Sequence, residues 1–123
     1  MEKKIRIRIG TREYSARLNE TRVAGLIWEV LPITAAFQLW GEEIYFPIPV
    51  QEERLENPQS TVNLGDLGYW PDGNCFCIFY GLTPISGPGE IKPASAVEVI
   101  GRVEDPEAFR QMKAPGKITV ARD

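Results

Sequence analysis

The chain contains no histidine. Nucleophile systems that rely on an imidazole base, histidine-bearing zinc sites and imidazole proton transfer near neutral pH are therefore excluded. Any proton chemistry falls to carboxylates, hydroxyls, amides or aromatic side chains. Cysteine is nearly as scarce, with only Cys75 and Cys77 present. They sit two apart in an apolar run, where a strand sends both side chains to one face without disulfide geometry, so reduced, packed thiols are expected. No stretch approaches the ~20 apolar residues of a membrane-spanning helix. The opening Met1-Glu2-Lys3-Lys4-Ile5-Arg6 runs straight into alternating charge and lacks a signal peptide's apolar core, so a cytoplasmic location without a membrane partner is expected. Basic excess is missing too: the formal net charge is -3, which gives no reason to expect a nucleic-acid partner.

What is present fits one domain spanning residues 1–123, long enough to bury a continuous core. Ile5, Ile7 and Ile9 alternate with Arg6 and Arg8, the period of a half-buried strand with its basic face in water. Gly10-Thr11 turns the chain, and Tyr14, Ala16 and Leu18 continue as the second arm of a hairpin. From Asn19 the period becomes helical: Val23, Leu26, Ile27, Val30 and Leu31 form a stripe behind an Asn19 or Thr21 cap, closed by Pro32. Trp28 lies beside that stripe, at the edge of the core or at a subunit contact, and a homodimer is possible.

Beyond Pro32 the pattern predicts strands over 35–40, 43–50, 61–64, 67–70, 75–80, 96–103 and 117–121. Pro71-Asp72-Gly73-Asn74 is a tight-turn signal between two aromatic-rich strands. A short second helix is expected over 106–112, with Asp105 as its cap and Pro106 in its first position. Eight or nine short strands with two short helices around one core predict a mainly β fold, a small closed or nearly closed β-barrel of about eight strands, because closure removes exposed edges. Residues 81–93, rich in proline and glycine, read as a long surface loop. Its glycine spacing lacks the Lys-Ser/Thr and helix start of a phosphate-binding loop, and no cofactor is expected.

Two groups of residues could carry function. Glu42 and Glu43 follow Trp40-Gly41 at a bend, and alternation sends them to opposite faces, so at most one enters a given pocket. Their plain reading is as solvated turn carboxylates, and without a third oxygen ligand they do not make a metal site. The aromatics Tyr45, Tyr69, Trp70, Phe76, Phe79 and Tyr80 could line a shallow apolar groove with polar tips, although core packing explains about half of them equally well. On 76–80, Phe76, Ile78 and Tyr80 alternate with Cys77 and Phe79, so both faces of that strand are apolar: one fills the barrel and the other lies under a helix or loop. Thr83 adds a hydroxyl to the long loop, either for a ligand or for a rigid turn.

Four local motifs, Trp40-Gly41-Glu42-Glu43-Ile44-Tyr45-Phe46, Gly65-Asp66-Leu67-Gly68-Tyr69-Trp70-Pro71-Asp72-Gly73, Phe79-Tyr80-Gly81-Leu82-Thr83-Pro84 and Ile91-Lys92-Pro93-Ala94-Ser95-Ala96-Val97, resemble those of the small atypical cyclophilin-like proteins of bacteria and archaea. The order of elements resembles the cyclophilin barrel over nearly the whole chain. That resemblance implies a ligand groove on the outer face of the barrel. Classical cyclophilins bind proline-containing peptides there with an Arg, then a Phe and a Gln, on the strand after the first helix. Here residues 23–53 contain neither Arg nor Lys, and the corresponding strand offers Glu42, Glu43 and Tyr45. A guanidinium directed at the prolyl nitrogen weakens the amide resonance that sets the ~20 kcal/mol rotation barrier; an ionised carboxylate cannot donate that bond. Arg54 and Arg102 are the nearest substitutes in sequence.

The expected function is therefore a non-catalytic binding module that takes a peptide or small apolar molecule in an outer groove lined from Glu42, Glu43, Tyr45, Tyr69, Trp70, Phe79, Tyr80 and Thr83. The alternatives are a peptidyl-prolyl isomerase with a rearranged donor set and a small-molecule enzyme using Glu42 or Glu43 as acid or base.

Overall fold

The computed structural model describes residues 3–123. Eight antiparallel strands close into a barrel in the order β1-β2-β7-β5-β6-β4-β3-β8, with β8 returning to β1. The strands are β1 (Lys3–Ile9), β2 (Arg12–Leu18), β3 (Ile33–Leu39), β4 (Glu43–Pro47), β5 (Asp66–Trp70), β6 (Cys75–Phe79), β7 (Glu98–Val103) and β8 (Gly116–Arg122). A helix, α1 (Arg22–Val30), and a short 3₁₀ helix (Pro106–Gln111) complete the fold.

Alternation builds the interior. Ile5 and Ile7 are fully buried while Arg6 and Arg8 lie outside, paired with Glu13, and Arg6 also reaches Asp123. Phe46 stacks on Phe76 with ring centroids 5.1 Å apart, and Tyr14 stacks on Phe109 of the 3₁₀ helix at 4.1 Å. Thr21 caps α1 by accepting from the Ala24 N–H, and Asn19 in turn accepts from the Thr21 N–H. The helix buries Val23, Ala24 and Ile27. Leu26 and Val30, expected in the same stripe, are exposed: two turns of helix leave too narrow a contact with the barrel to cover them. Trp28 packs at the edge of the core, with the Arg122 guanidinium 4.6 Å from its ring centre.

Several expected elements differ. Residues 61–64 do not form a strand; Val62 makes one isolated bridge to Ile91 as the segment crosses the outside of the barrel. The strand expected over 43–50 stops at Pro47 because Pro47 and Pro49 have no N–H for the ladder. The second helix is 3₁₀ rather than α, and Asp105 makes no side-chain cap bond to it. Among the described residues, no helix is long and apolar enough to cross a membrane.

Candidate ligand pocket

The strands β4, β6 and β5 are neighbours, and their outer face carries a second apolar layer distinct from the barrel core. Cys75, Cys77, Phe79, Val62, Ile91 and Val97 are buried in it, with Tyr45, Trp70 and Val99 packed partly against them. Both cysteines are free. The two faces of β6 thus separate as its alternation predicted, Phe76, Ile78 and Tyr80 belonging to the interior and Cys77 and Phe79 to this layer.

Within the layer lies a hollow of about 300 Å³ lined by Trp40, Glu43, Tyr45, Trp70, Pro93, Ala94 and Val97. Register explains its depth. Tyr45 pairs with Cys77, which pairs with Gly68 on the far side of β6, so small residues lie beside the large ring. Glu43 and Tyr45 share the outer face of β4 because they are two apart. Trp40 is brought in by the β3–β4 bend, where its N–H donates to the Glu43 carbonyl at 2.9 Å. That bend requires glycine at 41: its φ is +61°, and a Cβ would come within 2.8 Å of the Leu82 carbonyl oxygen. Trp70 is held in place by a chain of bonds, its indole N–H donating to Ser95 Oγ and Ser95 to Asp72. The ring lies across Gly73, where a Cβ would meet it at 2.6 Å.

Glu43 is the chemically unusual member. Its side chain is 6% exposed, and its Oε1 has no hydrogen-bond partner. Burial pushes the carboxyl up to about 7, with the adjacent Cys77 thiol lowering it in part. Burial first, and then the nearby Glu43 charge, push the Cys77 thiol well above its usual range, so it stays protonated.

The remaining candidates fall elsewhere. Glu42 points to the other side of the strand, accepting from the Leu82 N–H at 3.3 Å and lying 3.7 Å from the Arg110 guanidinium. Tyr69 and Tyr80 face the barrel interior; the Tyr69 hydroxyl donates to the Val50 carbonyl and accepts from the Glu52 N–H. Phe79 is fully buried beneath the outer layer. The expected single patch of rings therefore divides into two, because Tyr69 and Trp70, like Phe79 and Tyr80, are chain neighbours on opposite faces. Thr83 is buried and closes the long loop, its hydroxyl donating to the Lys92 carbonyl and its N–H to Ser86 Oγ. Trp40, Pro93, Ala94 and Val97 were not singled out individually, although all four lie within motifs that carried the family resemblance.

Among the described residues, no basic side chain lines the hollow. Arg102 lies by Asp66, 3.6 Å away, and donates to the Leu64 carbonyl. Arg54 lies on the segment after β4, its N–H donating to Glu52 and its carbonyl accepting from Arg22 of α1. A larger cavity of about 800 Å³ lies beside Arg102, lined among others by Asn63, Asp66 and Glu98. Its two buried carboxylates are spoken for: Glu98 accepts from the N–H groups of Glu56 and Asn57, and Asp66 from that of Asn63. Both of the buried carboxylates in its lining are therefore engaged by the fold itself.

An eight-stranded antiparallel barrel with a ligand-sized hollow on its outer face, roofed by the segment leading into β7, is a cyclophilin-type barrel. The Cyclophilin-like family model matches residues 3–121, and the chain belongs to that family. Its structure is similar to the solution structure of the hypothetical protein AF2241 from Archaeoglobus fulgidus, with 37% identity, a TM-score of 0.84, and coverage of 99% of this chain and 95% of that one. It also resembles McbB, solved in complex with tryptophan, with a TM-score of 0.71 over 97% of this chain and 44% of that one; at 19% identity this likeness concerns the fold alone. No curated protein matches the sequence at a significant level.

Proposed function

We propose that the protein binds a small molecule with an aromatic or apolar body in the outer-face hollow formed by Trp40, Tyr45, Trp70 and Glu43. The observation that carries this reading is the combination of an apolar, ring-lined hollow with one buried carboxylate whose Oε1 lacks a donor, since ligand sites are mostly apolar with a few convergent polar groups. A volume of about 300 Å³ is at the lower end for such sites and suits one ring with a short side chain better than an extended peptide. Prolyl isomerisation is disfavoured because no guanidinium lines the hollow.

The test combines two assays. Spontaneous X-Pro exchange takes tens to hundreds of seconds, so an exchange assay by NMR would reveal even weak catalysis. No acceleration is expected at micromolar protein, and a hundredfold rate increase would overturn the binding-module reading. In parallel, small aromatic probes should change the fluorescence of Trp40 and Trp70, a response that Trp70→Phe reduces to the share of Trp40. Flat titrations with such probes, alongside a response to proline-rich peptides, would move the site's occupant to peptide.

A second reading is favoured by the Glu43 carboxyl, whose proton is poised near neutral pH, as a general acid or base requires. In that case a bound ligand would be chemically converted, and Glu43→Gln would stop the conversion.

A further inference from the structure

The proposed binding site leaves open what chemistry its occupant carries, and the lining narrows it. The hollow holds one side chain that can bear charge at neutral pH, the Glu43 carboxyl, and no basic residue to receive an anion. The Trp70 N–H, which might have served an acceptor on a ligand, is already committed to Ser95. An anionic ligand would face the Glu43 carboxylate in a low-dielectric site without a counter-charge, and could be held only with Glu43 protonated. Glu43 Oε1 is already shielded from solvent without a donor, and a wholly apolar ligand would leave it with the desolvation cost of an unmet acceptor. A protonated amine resolves both problems. Its N–H groups donate to the carboxylate in a charge-assisted bond, and its positive charge is favoured near aromatic rings such as Trp40, Tyr45 and Trp70.

We infer that the ligand of this pocket is a small amine, a protonated primary or secondary ammonium on an aromatic or apolar body, with Glu43 as its counter-ion and the three rings enclosing the body. This rests on the proposed binding role of the hollow. A volume of about 300 Å³ takes a single ring on a short arm and leaves little room beyond that.

The test uses three probes of the same size and shape that differ in the terminal group: 2-phenylethylamine, 2-phenylethanol and phenylacetate. Binding to the full chain is followed by NMR of the indole N–H signals, where Trp40 and Trp70 line the hollow and Trp28, at the edge of α1, serves as an internal control. The amine is expected to bind about tenfold or more tighter than the alcohol, with phenylacetate weakest, and to shift Trp40 and Trp70 but not Trp28. Glu43→Gln should remove the amine's advantage over the alcohol. Equal affinities for amine and alcohol, or a preference for phenylacetate, with the same two tryptophans responding, would overturn the amine assignment and leave the binding site standing. If none of the three shifts Trp40 or Trp70, the site itself is wrong and the assignment falls with it. The comparison of the three probes on the unaltered protein decides the question even if Glu43→Gln fails to fold.

Discussion

Two buried glutamates on the same barrel show how structure and function make different demands on one side chain. Glu98, on β7, is 1% exposed, and its Oε1 receives the Glu56 N–H at 2.6 Å while Asn57 donates to both oxygens. It clamps the segment around 56–57 against the barrel. Glu43, on β4, is almost as buried at 6%, but one of its oxygens meets no donor and its side chain borders a hollow. A carboxylate buried to hold a fold is given its donors by the fold, because an unmet buried acceptor costs about 1–3 kcal/mol. One that the fold leaves short implies a donor from elsewhere.

The barrel interior sets the scale for breaking this comparison. Ile7→Ala removes a fully buried side chain and should cost about 2–5 kcal/mol in denaturant unfolding. Arg6→Ala, on the outer face of the same strand, should barely move the midpoint; equal effects would mean that the register of β1 was wrong. Next, Glu98→Ala should cost about 2–3 kcal/mol, because two backbone donors lose their acceptor, and amide exchange at Glu56 and Asn57 should accelerate. A neutral outcome would show that this clamp contributes nothing and would remove one side of the contrast.

Glu43→Gln is expected to do the opposite. The folded carboxyl titrates at about 7 against a usual value of 4.5, so between those values the folded chain holds a proton that the unfolded chain has lost. Stability therefore falls as pH rises from about 4.5 through 7 and levels off above. Glutamine removes that dependence. The variant should be more stable than the parent by roughly 2–3 kcal/mol at pH 8 and nearly equal to it at pH 4. A variant that is less stable at pH 8 would show that Glu43 is a structural carboxylate like Glu98.

The smallest expected effect is that of Trp70→Phe. It keeps an apolar ring over Gly73 but loses the bond to Ser95, so stability should fall by about 1 kcal/mol while the fluorescence response to aromatic probes shrinks to the share of Trp40. A loss of several kcal/mol would make Trp70 part of the packed core instead of a pocket wall.

Strand parity explains what the sequence could and could not show. Ile5, Ile7 and Ile9 against Arg6 and Arg8, and Phe76, Ile78 and Tyr80 against Cys77 and Phe79, report their faces directly because each strand is packed on a consistent side. The same parity separates Tyr69 from Trp70 and Phe79 from Tyr80, so grouping those four by aromatic character ran against a signal the chain already carried. Glu43 and Tyr45, two apart, were legible as partners on one face. Trp40 was not, since it stands outside the strand pattern and its placement depends on a bend packed against residues 82–83, a contact more than forty positions away. Pro93, Ala94 and Val97 reach the hollow only because the preceding loop is tied down by Thr83 and Ser86. Long-range contacts of this type leave no local period to read.

The most direct measurement is a titration of the Glu43 side-chain carboxyl by ¹³C NMR, with its signal assigned through Glu43→Gln. A carboxyl buried beside a ring-lined hollow with one oxygen short of a donor should titrate near 7, and adding 2-phenylethylamine should move that midpoint down as the ammonium stabilises the charge. A midpoint in the ordinary carboxylate range, unmoved by the amine, would mean that Glu43 is solvated or paired and that the hollow is not a site waiting for a ligand.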